Sequence, residues 1–135
     1  LIHIDAGVVI GFLDADDTHH DASRAVLEAA LQSGDRLGMA SSAFAECLVG
    51  PARRGEASVG TVRDLFDRVP IGIVPLTADI AVVAAQLRAR HRALRLPDAI
   101  VIATAADVGA DQLVTTDRKW PTAQALGVAI AVRRL

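Results

Sequence analysis

Four acidic side chains, Asp5, Glu46, Asp98 and Asp117, stand where carboxylates could do chemistry together. Asp5 closes the run Leu1-Ile2-His3-Ile4, and Asp117 follows Leu113-Val114-Thr115-Thr116, so each sits where a strand would end. Asp98 opens an apolar stretch just after Pro97, and Glu46 is the only charged residue within Ala43–Val49. Singly, each has a plainer explanation. Asp5 and Asp117 could cap the helices that follow them, Asp98 suits the positive end of a helix dipole, and Glu46 could face water. Jointly they say more. Carboxylates that converge repel, so one of them takes up a proton unless a cation binds. An all-oxygen cluster with open coordination positions suits Mg²⁺ or Mn²⁺ rather than zinc. The chemistry such a site supports is phosphodiester hydrolysis, in which metal ions activate a water and steady the leaving oxygen.

The elements that would position these acids read as an α/β domain, with short β-branched runs alternating with stretches of helical period. Strands are expected at Leu1–Ile4, Leu37–Ala40, Ile71–Val74, Leu113–Thr115 and Val128–Val132. Helices are expected from about Val8 to Leu13, from Thr18 or His19 to Gln32, and from Ser41 or Ser42 to about Val49, where Gly50-Pro51 would close the third. Further helices are expected over Glu56–Arg68, from a Thr77 cap to Arg92 or Ala93, over Asp98–Val108 behind Pro97, and around Trp120–Leu126. Parallel strands joined by right-handed crossovers put the ligand crevice beyond the strands' carboxyl ends, beside the point where strand order reverses. If the first and fourth strands are neighbours, all four acids reach that crevice.

Composition narrows the class. The chain has 135 residues, 52% hydrophobic and 22% charged, which describes one folded domain over residues 1–135 rather than a disordered or collagen-like protein. A single cysteine, Cys47, excludes an intrachain disulfide framework and a multi-cysteine zinc site. A net charge of −2 excludes a uniformly basic nucleic-acid module but not a nuclease that binds RNA locally. No apolar run approaches the roughly 20 residues needed to span a bilayer. The chain opens directly on a strand, which leaves no room for a signal peptide and makes the cytoplasm the expected location.

The order Ile4-Asp5, Ala45-Glu46-x-x-x-Gly50, Leu96-Pro97-Asp98-Ala99-x-x-Ile102-Ala103 and Leu113-Val114-Thr115-x-Asp117 resembles a PIN domain. More closely, it is similar to the VapC-type ribonuclease toxins of bacterial toxin–antitoxin pairs, and the resemblance runs across essentially the whole chain. It implies a three-layer α/β/α fold around a mostly parallel sheet of four or five strands, and a metal-dependent endoribonuclease whose acids bind Mg²⁺ or Mn²⁺. Carried over singly, Asp5 becomes the metal ligand of the first strand, Glu46 the acid of the third helix, Asp98 the central aspartate, and Asp117 the aspartate after the last strand but one. Thr115 matches a threonine whose hydroxyl would orient a carboxylate or a bound water. The chain departs from the family after the first aspartate, where Thr or Ser is usual and Ala6-Gly7 stands here. The resemblance also implies an antitoxin partner, for which Phe44, Leu48, Val49, Val59, Val62 and Leu65 offer a groove, and pairing of two copies.

Other charged groups carry weaker expectations. The run Asp14, Asp16, Asp17, His19, His20 and Asp21 reads as a solvated loop and helix start rather than a transition-metal site. Arg88, Arg90, His91, Arg92 and Arg95 read as a solvated helix end rather than a track for RNA phosphates. Arg53 and Arg54 could meet RNA or a partner's acids. Aromatic residues are 3% of the chain, so recognition by base stacking is not expected. Three other functions compete. A phosphoacceptor receiver domain needs a pair of acids after the first strand and an acceptor aspartate after the third, and neither is present. A catalytically silent PIN-like module and a PIN-like RNA-processing nuclease without an antitoxin stay open.

Overall fold

The computed structural model describes residues 1–135. The chain runs β1 (Ile2–Ile4), α1 (Ala6–Leu13), α2 (His20–Ser33), β2 (Leu37–Ala40), α3 (Ser41–Arg54), α4 (Glu56–Arg68) and β3 (Ile71–Val74). It continues α5 (Ala78–Arg90), α6 (Leu96–Asp107), β4 (Gln112–Thr115), α7 (Ala123–Leu126) and β5 (Ala131–Arg134). The five strands form one parallel sheet in the order β3-β2-β1-β4-β5, flanked by helices as an α/β/α sandwich. No helix is long and apolar enough to cross a membrane.

The strand order explains where a site can form. From β1 the chain moves outward through β2 to β3, then returns to the other side of β1 for β4 and β5. The order therefore reverses between β1 and β4, whose register pairs Ile4 with Val114. Beyond their carboxyl ends the crossover loops part and leave a crevice. The frame beneath it is dry. Ile4, Val8, Val9, Met39, Leu113 and Val114 are fully buried, and α6 buries Ala99, Val101, Ile102, Ala103, Thr104 and Ala105. A helix buried over so much of its circumference cannot shift without opening the core. It is a rigid mount for the residues at its start.

Several boundaries differ from the sequence expectation. α3 does not stop at Gly50-Pro51 but continues to Arg54, with Pro51 inside it and buried. Proline removes one helical N–H, and the helix ends instead at Gly55, whose φ of 117° is open to glycine and strained for other residues. α5 ends at Arg90, short of Arg92, and α6 begins at Leu96, so Arg95 stands just before α6 rather than on the end of α5. α7 is confined to Ala123–Leu126 behind a Thr122 cap. The last strand is Ala131–Arg134 rather than Val128–Val132, because the Val128 N–H is spent on the Ala123 carbonyl closing α7.

Candidate active site

Asp5 leaves β1 with its backbone N–H still bonded to the Val114 carbonyl at 2.9 Å, so the sheet itself fixes the position of its carboxylate. That carboxylate is nine-tenths buried and doubly engaged. Oδ1 accepts the Ala6 N–H at 2.7 Å, capping α1, and Oδ2 accepts the Thr115 hydroxyl at 2.9 Å. Burial pushes the Asp5 carboxyl up to about 6. The bonds from Thr115 and Ala6 oppose that rise, and the negative charges of Asp98 and Glu46 add to it.

Thr115 is fully buried and joins two of the acids. Its hydroxyl donates to Asp5 and accepts the backbone N–H of Asp117 at 3.0 Å. Asp117 caps no helix. Its Oδ1 accepts the Lys119 N–H at 2.7 Å, closing a tight turn after β4. Asp98 sits in the first turn of α6 behind Pro97, where the helix dipole favours a negative charge. Its Oδ2 accepts from Arg95 Nε at 3.2 Å. Glu46 lies on the solvent side of α3. Its carboxyl is held above the ordinary range by partial burial and by Asp98, while Arg95 pulls it down.

The structure thus gathers the four acids at the crevice in two overlapping groups. Asp5, Glu46 and Asp98 feel one another's charge. Asp98 and Asp117 line one cavity of about 410 Å³ with Ala93, Arg95, Lys119 and Trp120. Asp98 belongs to both. No three side chains among the acids, histidines and cysteine stand close enough to cage an ion in this conformation. The donor set nevertheless suits a hard divalent cation. It is all carboxylate oxygen, it repels itself, and its buried member Asp5 is pushed toward protonation, chiefly by burial and further by Asp98 and Glu46.

Neighbouring residues take simpler roles. Cys47 Sγ donates to the Ala6 carbonyl at 3.8 Å, and burial together with Asp5 and Glu46 pushes the thiol up to about 12, so it is no nucleophile. The space a side chain at Gly7 would occupy is filled by the Thr116 hydroxyl. His20 stacks on Phe12 with Nδ1 3.0 Å from the Gly11 carbonyl, and Asp17 accepts the His19 N–H, which makes the acidic run a tied loop.

Arg53 and Arg54 are exposed at the end of α3, and Arg54 lines a second cavity of about 350 Å³ with Ile10, Leu13, Glu46, Pro51 and Val62. Of the six apolar positions expected to form a groove, Val62 alone lines this one. Phe44 packs edge-on against Phe66 with ring centroids 4.8 Å apart, Leu48 and Leu65 pack against the core, Val49 is exposed, and Val59 lines a separate hollow with Arg63. The groove walls come from α1 as well, through Ile10 and Leu13. Trp120 stands in the crevice wall, as its sequence reading as a core or crevice-wall residue implies, whereas Arg95 and Lys119 were not expected there. The spacing Arg95-x-x-Asp98, which lets a residue at a helix start reach one in its first turn, was the available signal.

A three-layer domain on a parallel sheet whose strand order reverses beside β1 defines a class of fold, and the comparisons agree with that fold. A family profile described as the PIN domain matches residues 2–126, and the chain belongs to that family. Its fold is similar to solved structures of low sequence identity. VapC20 of Mycobacterium tuberculosis, described as a sarcin–ricin loop cleaving toxin, is 18% identical with a TM-score of 0.67, covering 84% of this chain and 87% of that one. VapBC2 of Rickettsia felis, bound to a promoter DNA fragment, is 16% identical with a TM-score of 0.76, covering 99% and 98%. A toxin–antitoxin complex from Klebsiella pneumoniae is 22% identical with a TM-score of 0.70, covering 87% of each chain. No curated protein matched the sequence.

Proposed function

We propose that this PIN domain is a Mg²⁺- or Mn²⁺-dependent endoribonuclease acting in the cytoplasm as the toxin of a toxin–antitoxin pair. One observation carries the nuclease reading: Asp5 is a buried carboxylate, bonded through Thr115 to the Asp117 loop, its pKa raised chiefly by that burial and further by the charges of Asp98 and Glu46. Burying such a group among like charges is costly unless a cation offsets it. Asp5, Asp98, Asp117 and Glu46 would hold the ion, which when bound lowers the pKa of a water and neutralises charge on the departing oxygen.

The chain's own residues do the rest. Ala6 and Thr115 hold the Asp5 carboxylate through one hydrogen bond to each oxygen, and the Lys119 N–H fixes Asp117 in the turn that lines the same cavity as Asp98. Arg53 and Arg54, exposed in the last turn of α3, would meet an RNA backbone or a partner's acids. The toxin reading is supported by toxin–antitoxin structures among the similar folds. An antitoxin segment would cover the groove between α1 and α4, where Ile10 and Leu13 are exposed apolar residues beside Glu46 and Arg54. We also expect a homodimer, the commonest oligomer.

Brief induction of the chain in cells, followed by sequencing of RNA 5′ ends, tests this directly. Clustered new ends carrying 5′-phosphates, with cleavage in vitro lost in EDTA and restored by Mg²⁺ or Mn²⁺, are expected. Full activity in EDTA, or a 2′,3′-cyclic phosphate product, contradicts the reading.

A further inference from the structure

Of the chain's arginines and its one lysine, Arg95 alone forms an ion pair with a member of the acid set. It lies just before α6, whose first turn holds Asp98, at a position that gives the helix no side-chain cap. Its side chain is three-quarters exposed, while that of Asp98 is 13% exposed. The pair therefore joins a nearly buried carboxylate to a cation free on its other sides. Contacts of this kind are weak and exchange readily. Asp117 and Glu46 also lie within the field of Arg95. Across the same cavity stands Lys119, whose backbone closes the Asp117 turn and whose ammonium is in no ion pair.

A cation bound by the acids and a guanidinium bound to Asp98 compete for one carboxylate and repel each other. The pair also fits the absence of a ready-made cage, since it satisfies Asp98 from the solvent side. An arginine driven off a carboxylate presents its donor fork to the next available anion, and phosphate matches that fork. The anion at this crevice, on the nuclease reading, is the RNA backbone.

We propose that Arg95 is a counter-ion that changes partners: it holds Asp98 while the acids lack a divalent cation, and turns to a phosphate of the RNA beside Lys119 once they bind one. This rests on the nuclease reading above. Arg95 is then a positioning residue for metal-free Asp98 and a contact residue for substrate.

Trp120, the only tryptophan, forms a wall of the same cavity and serves as reporter. Its fluorescence is titrated with Mn²⁺ in wild type, Arg95→Gln, Arg95→Lys and Lys119→Gln. Binding of a nuclease-resistant phosphorothioate RNA oligonucleotide is measured in Mn²⁺ over a salt series. Arg95→Gln should bind Mn²⁺ about two- to fivefold more tightly, the worth of an exposed ion pair removed as competitor. It should bind the RNA more weakly, with a salt slope shallower by about 0.7, one single-strand phosphate contact. Arg95→Lys should keep the slope. Lys119→Gln should lose slope without changing Mn²⁺ affinity. Equal or weaker Mn²⁺ binding by Arg95→Gln, or an unchanged salt slope, overturns the proposal while the nuclease reading stands. A wild type that does not respond to Mn²⁺ overturns both.

Discussion

His3 and Asp5 stand two residues apart on the same strand run, both buried, and the structure treats them in opposite ways. The His3 ring is fully enclosed, neither nitrogen has a hydrogen-bond partner, and burial pushes its pKa down to about 4. It lies opposite Gly38 in the β1–β2 register, where an added Cβ would come within 3.2 Å of Nδ1. The imidazole is a neutral packing group. Asp5 is tied by two hydrogen bonds and raised to about 6 partly by other carboxylates. Burial perturbs both residues, and only Asp5 has partners that give the perturbation a use. A shifted pKa marks a site when its causes include groups that converge on the same space.

The largest effect that would break or sharpen this contrast is on activity. Asp98→Asn should cut RNA cleavage by about 10²–10³-fold, the range for removing a charge-stabilising group from a reaction centre, whereas His3→Leu should leave it within twofold of wild type. Equal losses in the two variants would erase the distinction between them.

The next effect is on stability against pH, where the two residues oppose each other. Asp5 has its pKa raised from 3.8 to about 6, so its stabilisation is full below pH 3.8 and lost as pH rises through 6. His3 has its pKa lowered from 6.5 to about 4, so its contribution is full above pH 6.5 and lost as pH falls through 4. Each shift corresponds to about 3 kcal/mol. Metal-free wild type should therefore be nearly flat between pH 4 and 6. Asp5→Asn should unmask stability that rises with pH, and His3→Leu stability that falls. Denaturant melts at several pH values read both slopes, and parallel curves for the two variants would contradict the account.

Smaller effects are expected around them. Thr115→Val, nearly isosteric, should weaken Mn²⁺ binding by about 10–100-fold, since it removes the donor that orients Asp5. It should cost about 1–3 kcal/mol of metal-free stability by leaving that carboxylate oxygen and the Asp117 N–H without a partner. Gly38→Ala should lower the melting temperature slightly, by crowding His3, without touching cleavage.

Much of this was legible because the signals are local. β2, α4 and β3 lie at the expected bounds, and Thr77 caps α5 by accepting the Ile80 N–H. The parallel sheet and the acids at its carboxyl edge follow from alternating periods and from residues at strand ends. What escaped depends on tertiary contact. Pro51 is accommodated inside α3 by burial that no propensity anticipates. β5 takes its place from pairing with β4, not from its own apolar pattern. Arg95 reads as one more cation on a helix end until α5 is seen to stop at Arg90 and α6 to start at Leu96.

The central claim is that Asp5, Glu46, Asp98 and Asp117 share a divalent cation, and thermal melting of wild type and Asp98→Asn with and without Mn²⁺ tests it most directly. A ligand that binds only the folded state adds about 2.7 kcal/mol at one hundred times its Kd. The wild type should therefore melt several degrees higher in Mn²⁺ than in Na⁺ at matched ionic strength, and Asp98→Asn should lose most of that rise while still folding without metal. An Asp98→Asn protein that keeps the full Mn²⁺ response would contradict the shared site.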